Sequence, residues 1–188
     1  AFTVNARAPE SIAKALAFTG GKMLQLSTDF VFNGKQGSPY LPNQKTNPLS
    51  VYGSSKEAGE LAVQELLAER GYVLRTSWIY GPVGRNFLLT MLNLHAQRAL
   101  IGDPLKVVAD QIGCPTHTQG LAETCWKIIM SSIKSKDAEI QNPLPNIMHW
   151  TDAGTASWYD FAIAIGEIGE DFKLFPSAAS VLPIRSLD

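Results

Sequence analysis

Two short apolar runs flanking an amphipathic helix constrain this chain most. Lys22–Ser27 (KMLQLS) reads as a buried strand, and Tyr72–Ile79 (YVLRTSWI) reads as another, rich in β-branched and aromatic residues. Between them Val51 to Arg70 has helical periodicity. Val51, Ala58, Leu61, Ala62 and Leu66 form its apolar side, and Gly71 is its stop. Strands alternating with helices predict an α/β protein with a parallel sheet. The rest of the chain extends the pattern. Residues 1–19 are predicted helical, with Phe2, Ile12, Ala13, Leu16 and Ala17 on one buried side and Gly20-Gly21 as the stop. Asn86 can cap a helix running to about Leu100, with Phe87, Leu88, Met91, Leu92 and Leu94 inward. Leu105–Ala109 is a short strand, Thr118 to Ile133 a helix, and Asn146–Thr151 strand-like. Ser157 can cap a last helix with Trp158, Phe161, Ala162 and Ile165 inside. Residues 134–145 are polar with Pro143 and Pro145 and read as a surface connection, while 170–188 carries no readable pattern.

The 188 residues suffice for one domain with a core, or a domain and a small lobe. With 45% hydrophobic and 18% charged residues and a net charge of −1, the composition gives no basic surface for nucleic acid or anionic membrane. A small anionic ligand stays open. No apolar run reaches the roughly 18 residues of a membrane span. The start, AFTVNARAPES, lacks the regions of a signal peptide. Cys114 and Cys125 form no CxxC and read as reduced thiols, so a cytoplasmic location is expected. His95, His117 and His149 have no ligand spacing, and no metal is expected. Asp103 and Asp110 read as turn residues, and Trp126, Trp150 and Trp158 as core. The chain opens as if mid-helix and stops without a natural end, which suggests a fragment.

The chemistry concentrates between Leu26 and Lys56. Ser27 and Thr28 put hydroxyls at a strand end, and a loop over 28–50 follows, with Gly34, Gly37, Pro39, Pro42 and Pro48. A loop that long in a compact domain is usually functional. In parallel sheets, ligands sit at the carboxyl ends of strands, where Ser27-Thr28 and Trp78-Ile79 both fall. Tyr52 and Lys56 lie four apart, one turn from each other on one helix face. Ketone reduction by a nicotinamide needs a proton donor for the developing alkoxide and a second donor to polarise the carbonyl. A phenol with a pKa near 10 becomes a better acid when a cation stabilises its phenolate. Lys56 can supply that cation and reach a cofactor ribose, and Thr28 can offer its hydroxyl to the carbonyl. The spacing alone is weak. Five tyrosines, with lysine at about one position in twenty, give roughly 0.25 such pairs by chance. The plain alternative is a half-buried tyrosine beside an exposed lysine. Pro9 adds a further sign: it cannot donate to the Asn5 carbonyl, so that oxygen is left for a water or another donor, or the helix simply starts near Ala8.

Several runs carry a resemblance. They are Ser27-Thr-Asp-Phe-Val-Phe-Asn-Gly34, Pro48 through Tyr52-Gly-Ser-Ser-Lys56 with Gly59-Glu60, and Arg75-Thr-Ser-Trp-Ile-Tyr-Gly81. Asn86-Phe87, Asp110-Gln111 with Gly113 and Pro115-Thr116, and Ser157-Trp-Tyr-Asp-Phe-Ala162 follow in order. On these the chain resembles the dTDP-4-dehydrorhamnose reductase family of the extended short-chain dehydrogenase/reductases. The resemblance implies a truncated Rossmann-like NAD(P)-binding α/β fold with a small substrate-binding lobe. Residues 1–85 would be the C-terminal part of the dinucleotide-binding domain with the Tyr/Lys helix. Residues 86–188 would be mostly the substrate lobe, with 105–135 partly returning to the Rossmann core. The implied catalytic residues are Thr28, Tyr52, Lys56 and Asn5. Ser27, Tyr52, Lys56, Trp78 and Ile79 would bind cofactor, and Thr28, Asp29, Phe30, Tyr52, Trp78 and Asn86 would bind substrate.

The implied reaction is NADPH-dependent reduction of the 4-keto group of dTDP-4-dehydro-6-deoxy-L-mannose to dTDP-L-rhamnose for polysaccharide, with NADH open as an alternative donor. The implied partner is a small nucleotide sugar, with no nucleic acid and no membrane, and a homodimer is open. Two alternatives stand beside it. One is another sugar-nucleotide 4-reductase or epimerase. The other is a regulatory relative such as the accessory subunit of methionine adenosyltransferase, which would not need Thr28, Tyr52 and Lys56 intact. The chain departs from the family in two ways. Phe30 stands where the family usually has tyrosine. The glycine-rich phosphate loop is absent, since in the family it lies upstream of residue 1. The strand at Lys22 is therefore expected to leave an unpaired edge, and the piece alone is expected to be inactive.

Overall fold

A computed structural model describes residues 1–134 and 144–187, and most of the expected connection over 134–145 lies outside them. The chain forms two compact units, 1–76 with 121–150, and 77–120 with 151–188. The division falls after Thr76, and the segment that rejoins the first unit is 121–150.

In the first unit, β1 (Met23–Thr28), β2 (Gly71–Thr76) and β7 (Ile147–His149) form a parallel sheet in the order β1-β2-β7. Met23 pairs with Gly71, Thr28 with Thr76, and Arg75 with His149. Successive strand residues face opposite sides. Met23 accordingly packs with Ala13, Val63 and Leu67 of the helices α1 (Ala8–Thr19) and α2 (Val51–Leu67). Leu24 packs with Leu74, Leu121 and Ile128, the last two from α4 (Thr118–Lys134). The outer edge of β1 pairs with no described strand. A groove lined by Met23, Leu24, Tyr72, Ile128 and Ile133 opens beside its amino end.

The helices are turned differently from the apolar pattern. A π-helical stretch, Thr3–Arg7, precedes α1, with the Ala8 N–H bonded to the Thr3 carbonyl five residues back. Pro9 then sits in the first turn of α1, buried with Ala13, whereas Phe2 and Ile12 are exposed. Gly20, at φ 71°, ends the helix in the left-handed conformation. In α2, Val51 and Leu61 face solvent. The buried face is Gly53, Ser55, Gly59, Glu60, Val63 and Leu67. Three of these six are glycine or glutamate, so apolar periodicity could not find that face. Trp126 on α4 is 65% exposed, not core, while Trp150 packs against the Leu74 cluster.

The strand expected to reach Ile79 stops at Thr76. Trp78 takes a left-handed φ of 46°, and β3 (Ile79–Tyr80) then pairs with β6 (Thr116–His117) in a separate sheet. The second unit is built on α3 (Phe87–Ala99) and α5 (Trp158–Asp171), which pack with β4 (Leu105–Val108) around Met91, Leu105, Val107, Ala162 and Ile165. Asn86 caps α3, and Ser157 with Asp160 forms a capping box on α5. The unreadable tail supplies β9 (Val181–Ile184), parallel to β4. Two-residue strands β5 (Ile112–Gly113) and β8 (Ala156–Ser157) pair antiparallel.

Candidate active site

Thr28 is the last residue of β1 and caps a 3-10 turn over Asp29–Val31. Its hydroxyl accepts the Phe30 N–H at 3.3 Å and donates to Asp29 Oδ1 at 2.9 Å. Asp29 is open to solvent at its surface, yet desolvation of its carboxyl end raises its pKa and outweighs the Thr28 hydrogen bond. The Ser27 hydroxyl is buried and has no partner among the described residues.

Ser50 caps α2 by accepting the Gly53 N–H at 3.0 Å. Gly53 abuts Phe30, since a Cβ there would lie 2.2 Å from the Phe30 carbonyl oxygen. That close approach seats the first turn of α2 on the end of β1. Tyr52 meets the Phe30 ring edge-on at 6.0 Å, two residues beyond Thr28. Its hydroxyl has no hydrogen bond to a described residue. Lys56 Nζ donates to the Leu26 carbonyl at 2.7 Å, two residues before Thr28. Burial lowers the Lys56 pKa, and the Glu60 carboxylate opposes that shift. Tyr52 and Lys56 thus engage β1 and its turn on either side of Thr28.

Asn5 reaches the same helix. Its Nδ2 donates to Ser55 Oγ at 3.0 Å, and Ser55 donates to the Tyr52 carbonyl at 2.7 Å. The Asn5 carbonyl points at Gly59, where a Cβ would lie 2.1 Å from the oxygen. Of the two readings of Pro9, the structure has the first-turn one, with α1 starting at Ala8, and the Asn5 carbonyl packs against a glycine Cα.

Sequence reasoning missed the charged residues beneath the site. Arg75 and Glu60 form a buried, bidentate ion pair with Nη2 to Oε2 at 2.6 Å. Arginine inside a buried apolar strand was the available signal, because such a charge is almost never buried unpaired. The 32–50 loop is tied internally by Tyr40 Oη donating to Asn33 Oδ1 at 2.8 Å, and to the preceding 3-10 turn by the Asn47 N–H donating to the Val31 carbonyl at 2.9 Å.

Trp78, Ile79 and Asn86 belong to the second unit. The Trp78 indole stacks on Trp158 at 3.5 Å and leaves Gly113 no room for a Cβ, which would lie 2.3 Å from the Trp78 Cε2. The Trp78 carbonyl accepts the Thr116 N–H at 3.1 Å. These contacts hold the strained backbone at Trp78 and explain the glycine and threonine of the Asp110–Thr116 run. Asp110 accepts the Ser186 N–H and hydroxyl, and these bonds lower its pKa. Ile79 is exposed. Asn86 Oδ1 caps α3, and its Nδ2 donates to the Gly81 carbonyl at 2.9 Å. His95 is a core residue, its Nε2 3.0 Å from the Ala162 carbonyl. Burial raises the Cys125 thiol, which favours its protonated form. Among the described residues no group of His, Cys, Asp or Glu could hold a metal, and no helix is long and apolar enough to cross a membrane.

A parallel sheet whose first strand ends in a threonine, joined through a long loop to a helix presenting Tyr52 and Lys56, is the fold of the extended short-chain dehydrogenase/reductases. The chain belongs within them to the RmlD substrate binding domain family, whose model matches residues 1–186. It is 40% identical over 188 residues to a dTDP-4-dehydrorhamnose reductase of Sinorhizobium fredii, covering 97% of this chain and 60% of that protein. A dTDP-4-keto-6-deoxy-D-glucose reductase of Streptomyces niveus is 36% identical over 162 residues, covering 86% and 51%. Among solved structures, a dTDP-4-dehydrorhamnose reductase from Bacillus anthracis in complex with NADP superposes with a TM-score of 0.82. That match has 33% identity and covers all of this chain and 59% of that one. The chain therefore spans less than two thirds of the length of these relatives.

Proposed function

We propose that the complete protein carrying this chain is a cytoplasmic NADPH-dependent oxidoreductase. It reduces the 4-keto group of dTDP-4-dehydro-6-deoxy-L-mannose to give dTDP-L-rhamnose for polysaccharide. The observation that carries the reading is the placing of Lys56 on the Leu26 carbonyl and Tyr52 on Phe30, which flanks Thr28 with an ammonium and a phenol. A bound nicotinamide supplies the hydride. Tyr52 gives its hydroxyl proton to the alkoxide oxygen, and the Lys56 ammonium stabilises the phenolate left behind. Thr28 turns its hydroxyl from Asp29 to the ketone oxygen and polarises it. Asn5 braces Tyr52 through Ser55.

The residues present fit the nicotinamide end of such a cofactor. The unpartnered, buried Ser27 hydroxyl and the Lys56 ammonium both lie at the carboxyl end of β1, where open α/β sheets take nucleotides. No glycine-rich phosphate loop occurs in the sequence. In this reading the first unit is the dinucleotide-binding part and the second the substrate lobe. Asp29 and Phe30 lie next to the sugar. The resemblance alone supports Trp78 and Ile79 toward the cofactor, and Trp78 and Asn86 toward the nucleotide sugar.

The Streptomyces niveus relative favours a second reading, in which the 4-keto sugar is a different one. Incubating the complete protein with NADPH and each of the two 4-keto nucleotide sugars, and identifying the products by NMR, separates the two readings. Conversion of the L-mannose-configured substrate to dTDP-L-rhamnose is the expected result. NADPH oxidation only with the other sugar would move the assignment to the second reading, and oxidation with neither would refute both.

A further inference from the structure

Arg75 stands next to the end of a fully buried strand, and its guanidinium touches helix α2, the 32–50 loop and strand β7. Nε lies 3.0 and 3.1 Å from the two Glu60 oxygens, and Nη2 lies 2.6 Å from one of them. Glu60 is one turn beyond Lys56 and two beyond Tyr52, so it shares their side of α2. Arg75 in turn pairs with Ser27, one residue before Thr28. Nη1 donates to the Pro42 carbonyl in the loop at 3.2 Å and lies 3.4 Å from His149 Nε2 on β7. A guanidinium has only donors, so that ring nitrogen is the acceptor. His149 Nδ1 then carries the proton and donates it to the Tyr40 carbonyl at 3.2 Å. Phe32 lies 5.1 Å under the guanidinium and stacks on Tyr40 at 4.3 Å.

We propose that Arg75, clamped by Glu60, is a positioning residue for the reaction. It sets the rotation of α2 and the seat of the 32–50 loop, and thereby holds Tyr52 and Lys56 beside Thr28. The inference rests on the reductase reading above. Lysine cannot replace this arginine, because a point charge has no fork to span a helix carboxylate and a loop carbonyl at once. The charged or titratable groups on this side are Tyr52, Lys56, Glu57 and Glu60 on α2, Arg75 on β2, His149 on β7, Asp29 after β1 and Tyr40 in the loop. Glu10 and Lys14 of α1 instead line a groove with Ala58, Leu61 and Ala62.

The test compares Arg75→Lys and Glu60→Gln with the parent in the complete protein. It reads kcat, KM for the 4-keto nucleotide sugar, the pH profile of kcat, and Tm. Arg75→Lys is expected to lower kcat about tenfold or more while KM stays within about threefold, because orientation rather than binding is lost. Glu60→Gln is expected to move the alkaline limb of kcat to lower pH, since Lys56 loses the carboxylate that supports its cation. Folded variants with kcat and alkaline limb unchanged, and only Tm lowered, would reduce the pair to a stabilising feature and overturn the proposal. If Arg75→Lys does not fold, Phe32→Leu, which removes the ring under the guanidinium and leaves the ion pair, takes its place with the same expected split. A parent without turnover would defeat the reductase reading instead. Hydrogen exchange over Tyr52–Lys56 then decides the positioning claim: faster exchange in Arg75→Lys sustains it, and unchanged exchange overturns it.

Discussion

Gly59 shows how much a single hydrogen atom can decide. The Asn5 carbonyl occupies the space a side chain would need, so α2 and the π-helical turn meet backbone to backbone. Gly59→Ala is expected to destabilise the fold by about 1–3 kcal/mol, because backbone must shift to make room. Thermal or urea unfolding of parent and variant measures that loss, and equal stability would show that the contact is looser than described. Residues of this kind divide into legible and illegible ones. Tyr52, Lys56 and Thr28 could be named in advance because their chemistry and spacing announce them. The parts played by Glu60, Arg75 and Ser55 could not, because each gains its meaning from a partner far away in sequence: Arg75 for Glu60, and Asn5 for Ser55.

The loop between β1 and α2 is the element whose order matters most to the site. It is pinned to β7 by His149, and that pin is pH-sensitive. Burial, and then the neighbouring Arg75, lower the His149 pKa below the ordinary value of 6.5, against the bond to the Tyr40 carbonyl. The group is a base favoured neutral in the folded state. Its contribution is therefore present above pH 6.5 and lost as pH falls through the lower, folded value. Protonation would also set a second cation against Arg75. Stability should accordingly fall with acidification below about pH 6.5, and His149→Gln should flatten that part of the curve. Urea unfolding across pH reads this, and identical slopes in parent and variant would count against the pin.

Helix α2 gives the complementary lesson. Its start at Val51 was legible, while the stop read at Gly71 overran the helix by the 3-10 turn Ala68–Arg70. Its buried face was not, since apolar periodicity points to Val51 and Leu61, which are exposed. Close approach at Gly53 and Gly59 and the Glu60 ion pair fix the rotation instead, and none of these is a hydrophobic signal.

Across the whole chain, alternation of strand and helix was enough to foresee a parallel α/β protein, because that pattern needs no knowledge of partners. The second unit was harder to read. Strand β9 pairs with β4 some 76 residues earlier (181 against 105), and its run Val-Leu-Pro-Ile is too short to announce a strand without its neighbour. The break at Trp78 had no sequence signal either, since positive φ is uncommon for a bulky side chain, and stacking on Trp158 and Gly113 is what sustains it.

The central claim is that the Tyr52, Lys56 and Thr28 constellation makes the complete protein a ketone reductase. The direct test follows NADPH oxidation with the 4-keto nucleotide sugar by the parent and by Tyr52→Phe. The variant keeps the ring against Phe30 and loses only the hydroxyl. Loss of the proton donor should lower kcat about 10²–10⁴-fold with the fold intact. Turnover by Tyr52→Phe equal to the parent's would contradict the account.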